Sequence, residues 1–129
     1  MKAFLFSLTI LLINLSSPQV VLAGENQPSL QTKSTTILVF GDSLSAAYNI
    51  KREEGWVSLL QDFVDLKQEN INIVNASISG ETTSGGLERL SAQLASIHPH
   101  IIIIELGGND GLRGFDLSTT RSNLSQMID

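Results

Sequence analysis

Three short polar clusters in this sequence combine the residue types that acyl transfer requires. Gly41-Asp42-Ser43 supplies a serine in a tight turn. Ser77-Ile78-Ser79-Gly80-Glu81 supplies a glycine among hydroxyls, and Gly107-Gly108-Asn109-Asp110 supplies a side-chain amide. A serine hydroxyl becomes a useful nucleophile when a base takes its proton. The charge that then develops on the carbonyl oxygen needs hydrogen-bond donors aimed at it. Ser43 is the candidate nucleophile. Its own N–H, the N–H of Gly80 and the side-chain amide of Asn109 are the candidate donors, because glycine lets a backbone N–H approach a ligand closely. Any one cluster alone reads as an ordinary turn; the chemical reading rests on all three.

The elements around the clusters are what would bring them together. Residues 36–40, which include Ile37-Leu38-Val39-Phe40, read as a short buried strand. A helix over about residues 54–67 follows, with Trp56, Leu59, Leu60, Phe63, Val64 and Leu66 at three- and four-residue spacing. The second strand is expected at 71–75 and a second helix at about 87–97, with Leu87, Leu90, Leu94 and Ile97 on one face and Pro99 ending it. The β-branched run at 101–106 suits a central strand buried on both faces. A loop over 107–115 and the start of a third helix at 117 complete the pattern. Alternating strands and helices imply a parallel sheet with right-handed crossovers. The three clusters are the loops that leave the carboxyl ends of the three strands, where open α/β sheets place their ligands.

With these blocks in place the chain resembles the SGNH (GDSL) hydrolases. The first block is GDSLS at 41–45, the second is Gly80 within NASISGET, and the third is GGND at 107–110 within ELGGNDGLRGF. The resemblance runs from about Ile37 to the last residue. It implies a three-layer flavodoxin-like α/β fold with the first strand between the second and third, of which about three strands are present here. It also implies that Ser43 is the nucleophile and that Gly80 and Asn109 complete the oxyanion hole. The activity it implies is hydrolysis of small acyl esters or thioesters, of the arylesterase, lysophospholipase or acyl-CoA thioesterase type, with no cofactor and no metal.

The family's fourth block, Asp-x-x-His, which supplies the base and its partner, does not occur in these 129 residues. The two histidines, His98 and His100, precede the third strand. Six residues of strand span about 20 Å at ~3.3 Å each, so neither histidine reaches the end where Ser43 lies. Asp42 and Asp110 read as turn and loop residues, and Glu105 is expected to be partly buried, pointing to the active edge or paired, with no assigned chemistry. The expected activity of the chain by itself is therefore little or none, and a non-catalytic remnant that binds lipid or a partner is the alternative reading. The glycines at 80, 85 and 86 have phosphate-loop spacing but lack the following lysine. No His-x-x-x-His or carboxylate cluster suggests a metal site.

Composition narrows the remaining classes. Thirteen acidic and 8 basic side chains give a formal charge of -5, which disfavours nucleic acid or an anionic membrane as partner. A hydrophobic content of 42 % is enough for one folded domain. There is no cysteine, which excludes disulfides and a thiolate nucleophile. Residues 1–23 read as a secretory signal peptide: Lys2, a broken apolar run, Pro18, and small residues ending at Ala23. Residues 24–35 read as a linker and 36–129 as the amino-terminal part of the hydrolase domain. A periplasmic or secreted location, no stable membrane anchor after cleavage, and a monomer for the complete enzyme are the corresponding expectations.

Overall fold

A computed structural model of the chain describes residues 34–129. The expected signal peptide and the first ten residues of the expected linker lie outside them. The elements are β1 (Thr35–Gly41), α1 (Trp56–Leu66), β2 (Ile71–Asn75), α2 (Thr83–Ile97), β3 (Ile101–Glu105), α3 (Gly108–Leu112) and α4 (Leu117–Ile128). A 3-10 turn, Arg52–Glu54, precedes α1.

The three strands are parallel in the order β2-β1-β3, with the first strand in the middle. The chain steps from β1 to β2 in one direction and from β2 across to β3 in the other. With right-handed crossovers, that reversal puts α1 and α2 on opposite faces of the sheet. It also makes the gap between the ends of β1 and β3 the topological switch point, where the loops after the two strands diverge and leave a crevice.

Burial follows from this layering. Leu38, Val39 and Phe40 in the middle strand have no solvent exposure. Leu38 and Phe40 pack with Leu90 of α2 and Met127 of α4, flanked by Ile102, Ile104 and Leu87. Val39, one residue out of phase, points to the opposite face, the side of α1, whose Val57 and Val64 are buried. Side chains of this size each contribute roughly 1.5–3 kcal/mol when fully buried, so β1 anchors both layers.

Several sequence expectations shift. β1 begins at Thr35 and ends at Gly41, one residue longer at each end than expected, which trims the linker. α1 begins at Trp56 because the 3-10 turn takes the residues before it. Much of its expected apolar face is open: Leu59, Phe63 and Leu66 are mostly exposed. α2 begins at Thr83, four residues early, and runs through Gly85 and Gly86. A Cβ at Gly86 would lie 2.5 Å from Leu106 Cδ1 and 3.3 Å from Phe40 Cε1. This glycine lets the helix approach the sheet and is not a turn signal. β3 is not buried on both faces along its length; Ile101 is half exposed and the strand has no partner on its far side among the described residues. The loop at 107–115 contains the short helix α3.

The outer edge of β2 is closed by a side chain. Gln61 of α1 accepts from the Ile73 N–H at 2.8 Å and donates through Nε2 to the Ile71 carbonyl at 3.1 Å. Its amide thus occupies backbone groups that a neighbouring strand would use.

Candidate active site

The site begins at the end of β1. Gly41 pairs with Glu105 across the β1–β3 register. A Cβ at Gly41 would lie 2.9 Å from both Glu105 Oε2 and Ser45 Oγ, so only glycine fits where the strand turns. Its N–H donates to Ser77 Oγ at 3.1 Å, and its carbonyl accepts from the Ile78 N–H at 3.0 Å. The loop after β2 is thereby fastened to the end of β1. Asn75 adds to this, donating to the Ser45 carbonyl at 2.7 Å and accepting from the Ser77 N–H at 3.1 Å.

Asp42 is buried at 3 % exposure and serves as a turn residue. Its Oδ1 accepts from the Leu44 N–H at 3.0 Å, which closes the turn that presents Ser43. Its Oδ2 accepts from Asn109 Nδ2 at 3.0 Å. The same Asn109 nitrogen donates to the Glu81 carbonyl at 2.9 Å. The asparagine amide therefore bridges the loops that follow β1 and β2, and both of its hydrogens are engaged.

Ser43, Gly80 and Asn109 line one pocket of about 330 Å³ together with Tyr48 and Ser79. The structure brings all three sequence-derived site residues to the switch point. The backbone N–H groups of Ser43 and Gly80 make no hydrogen bond among the described residues, and neither does the Ser43 hydroxyl. Gly80 has φ of +80°, a region that favours glycine. Leu44, Tyr48, Ile78 and Leu112 are exposed apolar side chains from the loops around this edge.

Asn109 is carried by α3, and Asp110 holds α3 in place. Asp110 is buried, so its reading as an ordinary loop residue does not hold. One oxygen accepts from the Thr83 N–H at 2.9 Å and the other from Thr83 Oγ1 at 2.6 Å, at the amino end of α2. Asn123 of α4 donates to the same Thr83 hydroxyl at 3.0 Å. Burial raises the Asp110 pKa, but hydrogen bonds from the Thr83 side chain and backbone, its own N–H and Thr120 outweigh burial and hold it below the ordinary 3.8. Carboxylate charge beside the exposed N–H groups of a helix start is also favourable.

Two contributors have no role assigned from the sequence; the pairing of one, Glu105, at the active edge was expected. Glu105 Oε2 accepts from Ser45 Oγ at 3.0 Å and from the Asp42 N–H at 3.4 Å, and Ser45 Oγ accepts from Trp56 Nε1 at 3.2 Å. A chain of donors thus runs from α1 to β3 beneath the serine turn. Arg113 donates through Nη2 to the Gly80 carbonyl at 2.9 Å. The one sequence signal for Glu105 was a charge ending an apolar strand; Arg113 gave none. The histidines lie at the opposite end of the sheet, where His100 accepts from the Thr36 N–H through Nδ1 at 3.0 Å and His98 caps α2. Among the described residues no group of three or more His, Asp or Glu side chains is placed to hold a metal.

Comparison with known proteins agrees with this architecture. The esterase EstA of Pseudoalteromonas, solved with monoethylphosphonate as inhibitor, superposes with a TM-score of 0.71 at 53 % identity, over 74 % of this chain and 52 % of that one. The fold is that of the SGNH hydrolases, an α/β parallel sheet with helices. The model of the GDSL-like Lipase/Acylhydrolase family matches residues 39–129, and the chain belongs to that family. It is 48 % identical over 97 residues to Esterase TesA of Pseudomonas aeruginosa, covering 75 % of this chain and 48 % of that protein. It is 46 % identical over 93 residues to Thioesterase 1/protease 1/lysophospholipase L1 of Escherichia coli, covering 72 % of this chain and 43 % of that protein. The chain spans about half the length of the curated relatives it matches.

Proposed function

We propose that this chain carries the nucleophile and oxyanion-stabilising parts of a serine hydrolase that cleaves small acyl esters or thioesters. The observation that carries the proposal is the convergence of Ser43, Gly80 and Asn109 on one pocket, with two backbone N–H groups left without acceptors. Ser43 Oγ attacks the acyl carbon and forms the new C–O bond. The carbonyl π pair moves onto oxygen, and the serine proton passes to a base. The N–H groups of Ser43 and Gly80 and the Asn109 amide then hold the oxyanion. Asn109 does so by sharing a hydrogen now engaged with Asp42 or Glu81. Collapse of the intermediate expels the alcohol or thiol, which takes the proton, and leaves an acyl-enzyme on Ser43 for water to hydrolyse.

The base comes from outside the described residues; no residue among them is bonded to the Ser43 hydroxyl. The acyl substrate class is supported by the names of the similar proteins, esterase and thioesterase/lysophospholipase. The open apolar side chains around the pocket suit an acyl chain. Residues 1–23 serve as an export signal in this reading, giving a mature terminus at Gly24 and a periplasmic or secreted enzyme.

The deciding experiment is covalent modification. The protein is treated with a monoethylphosphonate-type reagent of the class that inhibits EstA, and the adduct is located by mass spectrometry. Labelling at Ser43, abolished by Ser43→Ala, is expected in the protein when its base is present. Labelling at another residue, or hydrolysis of p-nitrophenyl esters that survives Ser43→Ala, overturns the assignment.

A further inference from the structure

Residues 78–81 form a tight turn: the Glu81 N–H donates to the Ile78 carbonyl at 3.1 Å. Gly80 has φ of +80° and Ser79 is not among the positive-φ residues. That combination is a type II turn with glycine at its third position. The N–H of Gly80 belongs to the middle peptide of this turn. Its direction is set by the Gly80 φ and by the orientation of the next peptide, Gly80–Glu81. That next peptide is held at both ends, its N–H by Ile78 and its carbonyl by Arg113 Nη2 at 2.9 Å. The following carbonyl, of Glu81, is held by Asn109 at 2.9 Å.

Both tethers come from α3. Asn109 lies in its first turn and Arg113 is its C-cap residue, whose backbone N–H returns to the Asn109 carbonyl at 3.1 Å. The guanidinium also lies over Gly80 itself: a Cβ there would sit 3.6 Å from Nη2. Arg113 is exposed and forms no ion pair among the described residues, so the one hydrogen bond of its side chain among them is to Gly80.

We propose that Arg113 is a positioning residue for the oxyanion hole: by gripping the Gly80 carbonyl it fixes the direction of the Gly80 N–H. The proposal rests on the reading of Gly80 as an oxyanion donor. It acts through Gly80 and makes no contact with the reacting atoms. Loss of the grip leaves the Asn109 tether on the Glu81 carbonyl and the turn's own Glu81 N–H to Ile78 bond. The effect is therefore smaller than the 10²–10³-fold of losing a donor outright, on the order of three- to tenfold in kcat. KM for an uncharged ester stays unchanged, because the donor acts on charge that develops only in the transition state.

The test compares wild type, Arg113→Met and Arg113→Lys in the full protein. Steady-state hydrolysis of an uncharged p-nitrophenyl ester is measured beside the Gly80 amide resonance, followed by glycine-selective 15N labelling. The expected result is a lower kcat at constant KM in Arg113→Met, a shifted or broadened Gly80 amide, and partial recovery of both in Arg113→Lys. A kcat within twofold of wild type overturns the proposal. So does a raised KM at unchanged kcat, which would make Arg113 a ground-state substrate contact. If turnover does not depend on Ser43, the hydrolase reading fails separately and the amide alone decides. An unchanged Gly80 resonance in Arg113→Met then overturns the positioning role.

Discussion

Replacing Asp110 tests how the helix that carries Asn109 is held. Asp110→Ala removes the acceptor of the fully buried Thr83 N–H and of its hydroxyl. A buried donor left without a partner costs about 1–3 kcal/mol, and the lost charge at the start of α2 adds roughly 0.3–1 kcal/mol. The Thr83 hydroxyl can turn elsewhere, so the expected loss is about 1–4 kcal/mol, a sizeable share of a typical stability of roughly 5–15 kcal/mol. Asp110→Asn keeps one acceptor and is expected to lose about half as much. The pH dependence gives the sharper check. The folded pKa of Asp110 is depressed below 3.8, so its contribution is fully present above that value and is lost as pH falls through the folded pKa. The stability difference between wild type and Asp110→Asn should therefore be constant from about pH 7 to 5 and shrink below about pH 4. Carboxylates common to both proteins, including the similarly depressed Asp116, cancel in that difference. Urea unfolding followed by circular dichroism across that range measures it. A gap that stays the same down to pH 3 would refute the claim that the charged carboxylate holds α2.

Other expected outcomes concern packing, the site and the sheet edges. Gly86→Ala places a methyl 2.5 Å from Leu106 Cδ1 and should destabilise by about 1–3 kcal/mol through overpacking, despite alanine's better helix propensity; equal or greater stability in urea would show that α2 can simply shift. Asn109→Ala should lower kcat on p-nitrophenyl esters by about 10²–10³ once the base is supplied, and indifference to it would remove Asn109 from the oxyanion hole. A polypeptide of residues 24–129 should self-associate through the open, β-branched side of β3. Size-exclusion chromatography should show Ile101→Lys reducing that association, and a monodisperse wild-type monomer would contradict it.

The strands were legible because apolar runs set between helical patterns are strong signals, whereas their order, β2-β1-β3, was expected only through the resemblance to the SGNH hydrolases. The convergence of the three candidate residues, Ser43, Gly80 and Asn109, was legible because each lies in a loop that follows a strand. What stayed hidden depended on pairing across the chain. Gly85 and Gly86 look like turn residues until the sheet beneath them is known. α3 contains two glycines in five residues and no apolar period, so nothing local marks it as helical. Asp110 looks like a loop residue until Thr83 meets it. Glu105 acquires meaning only from the register that sets it opposite Gly41, and Arg113 only from the turn that brings the Gly80 carbonyl within reach.

The side chain of Gln61 has a consequence for how this sheet can be extended. Because its amide engages the Ile71 carbonyl and the Ile73 N–H, β2 offers less to a new strand than the far side of β3, which is unpaired among the described residues. The favoured side for a further strand is therefore beyond β3, whether it comes from the same polypeptide or another. Two copies meeting at that side would form an isologous pair whose outer ends are both blocked by Gln61, an assembly that closes at two. A second fully exposed edge would give the same chain the means to polymerise; by occupying part of that edge, Gln61 biases assembly toward a finite pair.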